Sequence, residues 1–502
     1  MKKILPFDAI IIDKKSQTPI YRQLYELIKY AIIHKQFPAH SQLPSSRQLA
    51  TELNISRSTV TAAYDQLIAE GFLISKHGSG TVVAEALSQS SRVPSNRQKT
   101  RKAKQKQAEH ENDLRSQLSD IASTYCKPQV QQRIRTNYEQ TTLMPGIPSR
   151  QNFPNAIWGK LLAKYAKQPL GIDAGYDHPS GIPQLKKAIA DYIRLARGVN
   201  TKDQDVLIIS STQAALDLLC RVILNKGENA GLEEPGYRGA YLAMRNSGAK
   251  IHGIPVDSKG ITIPKLKKPP KLIYTSPSHQ YPTGTTMSYA RRMALLEYAQ
   301  QQQCWIMEDD YDSEFRYRSK PLPSLQGLDQ NQRVIYLGTF SKSLSPAMRV
   351  AYIVAPSTLS PIIKTFLGDI GAGINIAVQY ALAEFIDAGH YARHIRKARK
   401  EYAEKQQLLN SAINKYLHGK VDYYQSNAGL QATLYFKPNL INDILFIKEA
   451  EKHGLYLRPL SLYYQTEQSR QGIVLGFAAC NKDEIDRAVE KLASLISVYM
   501  KK

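Results

Sequence analysis

From about residue 138 to the end of the chain, short apolar runs alternate with stretches of helical periodicity. This alternation is the pattern of a mostly parallel sheet that is covered by helices. Four of the runs have the length of buried strands and lead into small or polar residues: 206–210, 271–275, 304–311 and 334–337. Open sheets of this class bind ligands beyond the carboxyl ends of their strands, so the residues that follow these runs are candidates for a functional site.

The loop after the last of these runs contains Lys342 and, seven residues later, Arg349. A lysine amine can form a Schiff base with an aldehyde, and a guanidinium can bind a phosphate through two parallel hydrogen bonds. Pyridoxal 5'-phosphate (PLP) needs both groups. The alternative is an ordinary surface loop that contains a lysine and an arginine, because such short spacings recur by chance.

Two other strand ends have residues suited to the same ligand. Ser211, Thr212 and Gln213 stand between a predicted strand and a predicted helix, where backbone N–H groups and the helix dipole make an anion site. Tyr237 follows another strand and could lie against a flat ring. In isolation, a structural tyrosine in a turn is the simpler interpretation of Tyr237.

Three carboxylates and a tyrosine, at 308–311, end one buried run. Adjacent acids could bind Mg²⁺, but no phosphate-binding loop of the P-loop type accompanies them. One buried carboxylate can instead keep the pyridine nitrogen of PLP protonated, which makes the ring an electron sink. No metal site is predicted, and the four widely separated cysteines fit reduced thiols.

The first 85 residues predict a different fold. Helical spacing begins near residue 19, and Ser45 with Gln48 predicts the capping box of a second helix. Ser56 is placed to cap a third helix, for which Gly71 is the natural end. Two short β-prone runs then predict a hairpin. Together these elements indicate a winged helix-turn-helix.

The motifs of this region are Leu-Pro-Ser-Ser-Arg at 43–47, Ser-Arg-Ser-Thr-Val at 56–60, Glu-Gly at 70–71 and Gly-Ser-Gly-Thr at 78–81. In this order they resemble the winged helix of the GntR regulator family. The resemblance implies contacts with DNA from Arg47, Ser56, Arg57, Ser58, Thr59, His77 and Gly78. A winged helix that binds protein instead is the alternative, because a fold does not fix a function.

Residues 86–135 are predicted to be a flexible basic linker. Between residues 92 and 106, seven of fifteen residues are Lys or Arg, and Val93 is the one apolar residue of any size. Such a segment cannot bury enough apolar surface to fold alone. The formal charge of +24 suggests a polyanionic partner, although residues 1–85 have ten Lys or Arg against seven Asp or Glu. Most of the excess charge therefore lies outside the predicted DNA-binding region.

The polar segments at the strand ends resemble, in order, those of fold-type I aminotransferases of class I and II. These segments are 176–181, 211–213, 235–237, 282–284, 308–311 and 341–349. Together with the GntR-like head, the chain resembles the MocR-type regulators. The resemblance implies that Lys342 forms the internal aldimine with PLP and that Asp309 pairs with the pyridine nitrogen. Tyr311 would bind the ring hydroxyl and Tyr237 would stack on the ring. The phosphate would be held by Thr339, Arg349, Ser211, Thr212 and Gln213.

Two departures from the aminotransferase pattern bear on activity. The enzymes usually have asparagine directly before Pro-Thr-Gly, whereas Tyr281 stands there in this chain, within a His-Gln-Tyr sequence like that of MocR-type proteins. The arginine that commonly binds the substrate carboxylate near Val474 is absent. Arg458 is predicted to bind an effector carboxylate in its place, with Arg470 as second choice. These departures favour a sensor over an efficient aminotransferase.

The expected protein is multidomain. A winged helix-turn-helix of α+β class occupies residues 1–85, the linker 86–135, and a PLP-dependent, aminotransferase-like α/β domain 136–502. That domain has a large subdomain at about 170–390 and a smaller α+β subdomain at 391–502. No run of about eighteen apolar residues occurs, so no membrane segment is predicted and a cytoplasmic location is expected.

The expected function is PLP-dependent transcriptional regulation on a double-stranded DNA operator. The body would sense PLP itself or an amino compound through the Lys342 aldimine. A homodimer is expected because fold-type I sites resemble ones built at subunit interfaces. A working aminotransferase with an appended winged helix is the alternative, and a weak or vestigial activity is left open. A DNA-binding protein whose body stays empty of PLP is a third possibility.

Overall fold

The computed structural model describes residues 12–13, 16, 18–33, 36–76, 80–84, 116–125, 142–168, 175, 177–317, 322–437, 441–465 and 470–500. The chain divides into two compact units, Met1–Gln132 and Arg133–Lys502. Each unit has its own apolar core, as expected of an independent domain.

The N-terminal unit is a winged helix-turn-helix, as the sequence predicted. Its elements are α1 (Ile20–Ile33), α2 (Ser46–Glu52), α3 (Arg57–Ala69), β1 (Leu73–Lys76) and β2 (Gly80–Val83). The two strands pair antiparallel, with Leu73 opposite Val83. Leu24, Leu49 and Leu67, one from each helix, are fully buried in a shared core. Burial of these side chains therefore fixes the three helices against one another.

The ends of the short helices are fixed by side-chain caps. The Ser45 hydroxyl accepts a hydrogen bond from the backbone N–H of Gln48 at 3.2 Å, as predicted. The predicted return bond of the capping box is wrong, because the Gln48 side chain instead donates to Glu52 one turn further on (Nε2–Oε1 2.9 Å). Gly71 follows α3 with φ of +78°, a left-handed conformation that glycine adopts without strain.

A small part of the predicted linker is helical. Asp120–Tyr125 form a short helix, α4, and the Ser119 hydroxyl accepts a hydrogen bond from the backbone N–H of Ala122 at 3.2 Å. Flexible coil is therefore the wrong prediction for these six residues, because a serine cap offsets part of the cost of starting a helix. Residues 86–115 and 126–135 of the predicted linker lie outside the described residues.

The larger unit is built on an eight-stranded sheet. Its strands are β3 (Val206–Ile209), β4 (Asn229–Glu234), β5 (Lys250–Asp257), β6 (Gly260–Ile261), β7 (Leu272–Thr275), β8 (Trp305–Asp310), β9 (Val334–Thr339) and β10 (Ala351–Val354). Their spatial order is β3-β10-β9-β8-β7-β4-β5-β6. Strands β5, β4, β7, β8 and β9 are parallel, whereas β10 runs antiparallel to both of its neighbours. The mostly parallel sheet predicted from the sequence is confirmed.

Helices bury this sheet on two faces. They are α5 (Asn155–Ala166), α6 (Pro183–Arg197), α7 (Thr212–Ile223), α8 (Arg238–Asn246), α9 (Tyr289–Gln301), α10 (Leu325–Leu328), α11 (Ser360–Asp369) and α12 (Ile376–Asp387). Leu207 and Ile209 belong to one core and Ile208 to another, because successive side chains of a strand point to opposite faces. No helix in the described segments is both long enough and apolar enough to cross a membrane.

A second sheet of four antiparallel strands forms the smaller α+β part. The elements are α13 (His390–Leu417), β11 (Val421–Tyr423), β12 (Gln431–Phe436), α14 (Asp443–Lys452), β13 (Arg458–Pro459), β14 (Gly472–Gly476) and α15 (Lys482–Tyr499). The strand order is β11-β12-β14-β13. Apolar side chains of this part join the core on one face of the large sheet, so the two sheets share packing.

Residues 142–149 pack against the second sheet, which the sequence did not predict. The backbone N–H of Leu143 donates to Cys480 Sγ at 3.2 Å, and the N–H of Gly476 donates to the Leu143 carbonyl at 2.8 Å. Leu143 itself is fully buried. A segment far from the C-terminal strands in sequence is thus part of their packing.

Candidate functional site

Lys342 lies in the turn that follows β9, at the carboxyl edge of the large sheet. Its amine donates a hydrogen bond to the carbonyl of Gly146 (Nζ–O 2.6 Å). Burial lowers the pKa of Lys342, and the carboxylates of Asp312 and Asp309 oppose that shift. The amine and both carboxylates therefore act on one another in one crevice. A lowered pKa keeps more of the amine neutral, which is the form that attacks an aldehyde.

Asp309 is the penultimate residue of β8, and its side chain is almost fully buried. Its Oδ2 accepts a hydrogen bond from the Tyr274 hydroxyl at 2.7 Å, whereas its buried Oδ1 has no partner among the described residues. Burial is the main reason why the pKa of Asp309 rises to about 7. A buried carboxyl with one free oxygen is suited to a cationic or N–H group of a ligand.

Glu308 and Asp310 point to the opposite face of β8, because strand side chains alternate. Asp310 Oδ2 accepts hydrogen bonds from Arg197 Nε at 2.7 Å and from the Tyr336 hydroxyl at 2.6 Å. Burial acts to raise the pKa of Asp310, but the charge of Arg197 and the hydrogen bonds from Tyr336 and Arg197 together hold that pKa below its ordinary value. Glu308 accepts from two backbone N–H groups at the start of α10, each at 2.9 Å. Both acids thus have partners within the fold, although the buried Oδ1 of Asp310, like that of Asp309, has no hydrogen-bond partner among the described residues.

Tyr311 follows β8 and faces the crevice. Its hydroxyl oxygen is 3.0 Å from Nδ1 of His279, which lies in the loop after β7. The same oxygen is 3.2 Å from Nε2 of Gln431, the first residue of β12. Strand ends from both sheets therefore meet at this hydroxyl.

Aromatic rings form one wall of the crevice. Tyr237 begins α8, and its ring is stacked on Tyr274 with centroids 6.3 Å apart and an angle of 29°. Tyr281 meets Tyr237 edge to face at 5.8 Å, and its hydroxyl is 2.8 Å from the Tyr463 hydroxyl. This wall offers both flat faces and hydroxyl groups to a ring-shaped ligand.

The turn from β3 into α7 contains the predicted anion site. Ser211 caps α7, and its hydroxyl accepts from the backbone N–H of Ala214 at 3.1 Å. Gln213 Nε2 donates to the Gly239 carbonyl at 3.0 Å. Of the first N–H groups of α7, those of Ala214 and Ala215 donate to Ser211, whereas those of Thr212 and Gln213 have no partner among the described residues. They remain available to an anion.

Arg349 and Thr339 lie on the same edge of the sheet. Ala351 pairs with Thr339 across β10 and β9, and Arg349 stands two residues before that pair. Arg349 adopts a left-handed conformation (φ 53°), and within the described part of the chain its exposed guanidinium has no hydrogen-bond or ion-pair partner. It lines a cavity of about 860 Å³ together with Trp158. Thr339 Oγ1 lies 3.0 Å from Ser341 Oγ.

Arg458 lies beside the position at which the aminotransferase arginine is missing. It pairs directly with Val474 across β13 and β14. The guanidinium of Arg458 donates to the Leu457 carbonyl (Nη1–O 3.3 Å), and its charge opposes the rise that burial causes in the pKa of Tyr463. Arg470 differs, because it is exposed and pairs with Asp422 at 3.4 Å. Arg458 is therefore the better placed of the two.

Four residues of the crevice were not predicted as site residues from the sequence: Gly146, His279, Asp312 and Gln431. His279 and Asp312 adjoin predicted residues, so their position in those motifs was the available signal. Gly146 is 196 residues from Lys342, and Gln431 is 120 residues from Tyr311. No local pattern joins partners at such separations.

In the N-terminal unit, the start of α3 forms an exposed polar surface. Arg47, Arg57 and Ser58 are all exposed. Arg57 Nε donates to the Ser46 hydroxyl at 3.4 Å, which connects the starts of α2 and α3. Two exposed guanidinium groups thus lie near the starts of α2 and α3.

The remaining predicted DNA contacts differ in their setting. The Ser56 hydroxyl accepts from the backbone N–H of Thr59 at 3.2 Å and lies 2.6 Å from the Thr59 hydroxyl, so both side chains take part in capping α3. His77 and Gly78 lie outside the described residues.

Two protein families match the chain. The family described as "Bacterial regulatory proteins, gntR family" matches residues 20–83. The family described as "Aminotransferase class I and II" matches residues 163–492. The first match falls in the N-terminal unit and the second in the larger unit.

One relative spans both units. The probable rhizopine catabolism regulatory protein MocR of Rhizobium meliloti is 34% identical over 97% of this chain and 95% of its own length. The chain belongs to the MocR-type regulators of the GntR family. Another relative is the HTH-type pyridoxine biosynthesis transcriptional regulator PdxR of Corynebacterium glutamicum. It is 26% identical over 97% of this chain and 98% of its own.

The larger unit also has the fold of solved aminotransferases. The crystal structure of Pyrococcus horikoshii kynurenine aminotransferase, in complex with PMP, matches with a TM-score of 0.72 and 26% identity. The match covers 78% of this chain and 99% of that one. This MocR-type protein is accordingly an HTH-type transcriptional regulator with a fold-type I, aminotransferase-like domain. Full-length similarity to regulators favours this function over that of a pure aminotransferase.

Proposed function

We propose that this MocR-type regulator holds PLP in the crevice at the carboxyl edge of its large sheet. In this proposal, the state of that site controls operator binding by the winged helix. The proposal is carried by one crevice that contains the Lys342 amine and a buried oxygen of Asp309 that has no partner among the described residues. When bound, PLP supplies an aldehyde that condenses with amines and a ring that withdraws electrons.

The chemistry of the crevice fits the ring of PLP. Lys342 is the amine that would hold the aldehyde carbon, and Asp309 Oδ1 would accept a hydrogen from the pyridine nitrogen. A protonated pyridine would supply the positive charge that the buried Asp309 carboxyl lacks. Tyr237 would cover the ring and Tyr311 would bind its hydroxyl. Support comes from the contact of Tyr237 with Tyr274, whose hydroxyl donates to Asp309.

The phosphate fits the groups at the neighbouring strand ends. Arg349 has an exposed guanidinium with no partner in the described segments, and such a group binds a phosphate with charge-assisted hydrogen bonds. Ser211, Thr212 and Gln213 would add backbone N–H groups at the start of α7, and Thr339 a hydroxyl. A helix start and an arginine together recognise an anion through geometry and charge.

Arg458 is proposed to bind the carboxylate of an amino effector. Replacing Arg458 with glutamine should weaken the binding of an amino acid to the PLP-loaded protein about 10- to 100-fold, because a charge-assisted pair is lost. Binding of an amine of the same shape without a carboxylate should stay unchanged. The visible spectrum of the loaded protein, titrated with each compound, measures both effects.

Arg470→Gln is the matched control, because Arg470 is exposed and paired with Asp422. Equal losses in Arg458→Gln and Arg470→Gln would reject the assignment of Arg458.

The N-terminal unit is proposed to read the operator through Arg47 and Arg57. Arg57→Ala should weaken operator binding by about 1–3 kcal/mol if the arginine reads a guanine, and leave PLP binding intact. Arg487→Ala on α15 is the control, because Arg487 is exposed in the other unit. The measurement is a DNA titration at one fixed salt concentration, since so basic a protein binds any DNA at low salt. Unchanged operator affinity in Arg57→Ala would remove this residue from the interface.

The proposed regulator responds because its ligand binds two states of the protein with different affinity. We propose that it does so as a homodimer. Footprinting on the DNA upstream of its own gene, with and without PLP and with an added amino compound, tests the function. A footprint whose strength or extent changes with ligand is expected. An identical footprint under all three conditions would leave DNA binding intact but reject the sensor.

A further inference from the structure

The hydroxyl of Tyr311 is surrounded by side chains from three parts of the larger unit. Besides His279 and Gln431, the carboxylate of Asp312 belongs to this group, because its oxygens lie 2.9 and 3.2 Å from Nδ1 of His279. The side chains of His279 and Asp312 are 1% and 2% exposed. Tyr311, His279 and Asp312 therefore meet at one ring nitrogen, away from water.

The hydrogen on that nitrogen can be assigned from the partners. An ionised carboxylate only accepts hydrogen bonds, so the Nδ1 that faces Asp312 carries a hydrogen. The other ring nitrogen, Nε2, is buried and has no hydrogen-bond partner within the described residues. An N–H group left without an acceptor costs more than an unused lone pair would, which favours the same tautomer. His279 thus has one hydrogen on Nδ1, which the Asp312 carboxylate and the Tyr311 oxygen share as acceptors.

Two glycines hold the His279 ring in this position. A Cβ atom at Gly429 would lie 1.9 Å from Cε1 of His279, and one at Gly284 would lie 3.2 Å from Nε2. Both glycines have positive φ, of +81° and +77°. The ring is packed directly against backbone on these sides, so it cannot turn to exchange its two nitrogens.

The Tyr311 oxygen consequently faces two N–H donors, Nδ1 of His279 and Nε2 of Gln431. Its own hydrogen is left to point elsewhere. Tyr281, at the position where aminotransferases usually have asparagine, cannot replace that asparagine, because its hydroxyl is bonded to Tyr463.

We propose that Asp312 and His279 are positioning residues that direct the hydroxyl hydrogen of Tyr311 towards the ring oxygen of bound PLP. They would take over the function of the asparagine that is missing at Tyr281. This inference rests on the proposed function, since it requires PLP in the crevice. It assigns Asp312 and His279 a role in orienting Tyr311, beyond the roles of the residues that contact the cofactor.

The charges around Tyr311 support a donor role. Burial raises the pKa of Tyr311 well above its ordinary value. The titratable groups that act in the same direction are Asp312, Tyr281, Asp309 and Glu233. The phenol therefore keeps its hydrogen at neutral pH.

The test is the pH at which the full-length, PLP-loaded protein changes colour. The hydrogen that titrates is shared between the lysine nitrogen and the ring oxygen. A hydrogen-bond donor to the ring oxygen weakens the attraction of that oxygen for the titrating hydrogen. Loss of the donor therefore raises the pH midpoint of the colour change. Tyr311→Phe removes the donor hydroxyl itself and should give the full rise in the midpoint. His279→Leu should raise the midpoint by roughly one pH unit, a tenfold change in proton affinity. Asp312→Asn should raise it less, because it also removes a carboxylate charge that favours the protonated lysine nitrogen.

His279→Asn is the conservative variant, because an asparagine amide can place an N–H near the position of Nδ1. Its midpoint should stay close to that of the wild type, as should that of Asp369→Asn, which alters an exposed acid on α11. The PLP dissociation constant of each variant shows separately whether the site is intact.

The outcomes separate the two proposals. If Tyr311→Phe shifts the midpoint but Asp312→Asn and His279→Leu do not, the pair only packs and the inference is wrong. Equal shifts in His279→Leu and His279→Asn would also overturn it. If the wild type shows no colour that depends on Lys342, the proposed function fails and this inference fails with it.

Discussion

Replacing Lys342 with alanine is expected to abolish covalent attachment of PLP while basal DNA affinity stays within about twofold. The amine is the group in the crevice that can bond the aldehyde, and it lies in the larger unit, whereas Arg47 and Arg57 lie in the N-terminal unit. Borohydride reduction followed by mass measurement should find PLP on the wild type and none on the variant.

The same variant should lose its response to ligand. An operator titration with and without PLP, or with an amino compound, should give one curve for Lys342→Ala and two for the wild type. Lys397→Ala, which alters an exposed lysine on α13, should behave as the wild type. A full ligand response in Lys342→Ala would mean that the covalent bond is not the signal.

The adjacent acids of β8 should give opposite results when each is changed to asparagine. Asp309→Asn should weaken PLP retention by about 3–5 kcal/mol, more than 100-fold, because a buried charge-assisted pair is lost. Asp310→Asn should instead destabilise the fold by a similar amount, since it leaves the buried Arg197 without its carboxylate. Dialysis against PLP-free buffer measures the first effect, and denaturant unfolding measures the second.

The pH dependence of stability should also differ between the wild type and Asp309→Asn. Without PLP, the pKa of Asp309 is raised to about 7 in the folded protein, so between about pH 4 and 7 the folded state binds more protons than the unfolded state. Stability contributed by this group therefore falls as pH rises through that window. Asp309→Asn lacks this loss, and its unfolding temperature should gain on the wild type from about pH 5 to pH 8. Parallel pH profiles would contradict the raised pKa.

Much of the fold could be predicted because its signals are local. The strand of residues 206–209 is apolar throughout, as a strand buried on both faces requires, and the serine that follows it caps the next helix. The caps at Ser45 and Ser56 are equally local. Lys342, Asp309 and Tyr311 could be placed at one edge because each follows a recognisable strand.

The remainder depends on contacts between distant parts of the chain. The antiparallel direction of β10 and the attachment of Leu143 to the second sheet follow from packing, which sequence periodicity does not express. Arg458 is opposite Val474 because of the register of β13 and β14. An aspartate sets the tautomer of His279 and two glycines pack against its ring, and no single motif contains all of them.

The hydrogen bond from Lys342 to Gly146 couples the chemistry of the lysine nitrogen to the backbone conformation at Gly146. Gly146 is buried, and it belongs to the first stretch of the body after the predicted linker. Any reaction that consumes the hydrogens of the Lys342 nitrogen leaves the Gly146 carbonyl without its hydrogen-bond donor. An unmet buried carbonyl costs about 1–3 kcal/mol, which is the size of a typical coupling energy between distant sites. A change at the Lys342 amine therefore changes which backbone conformation is favoured around Gly146, in the first stretch of the larger unit.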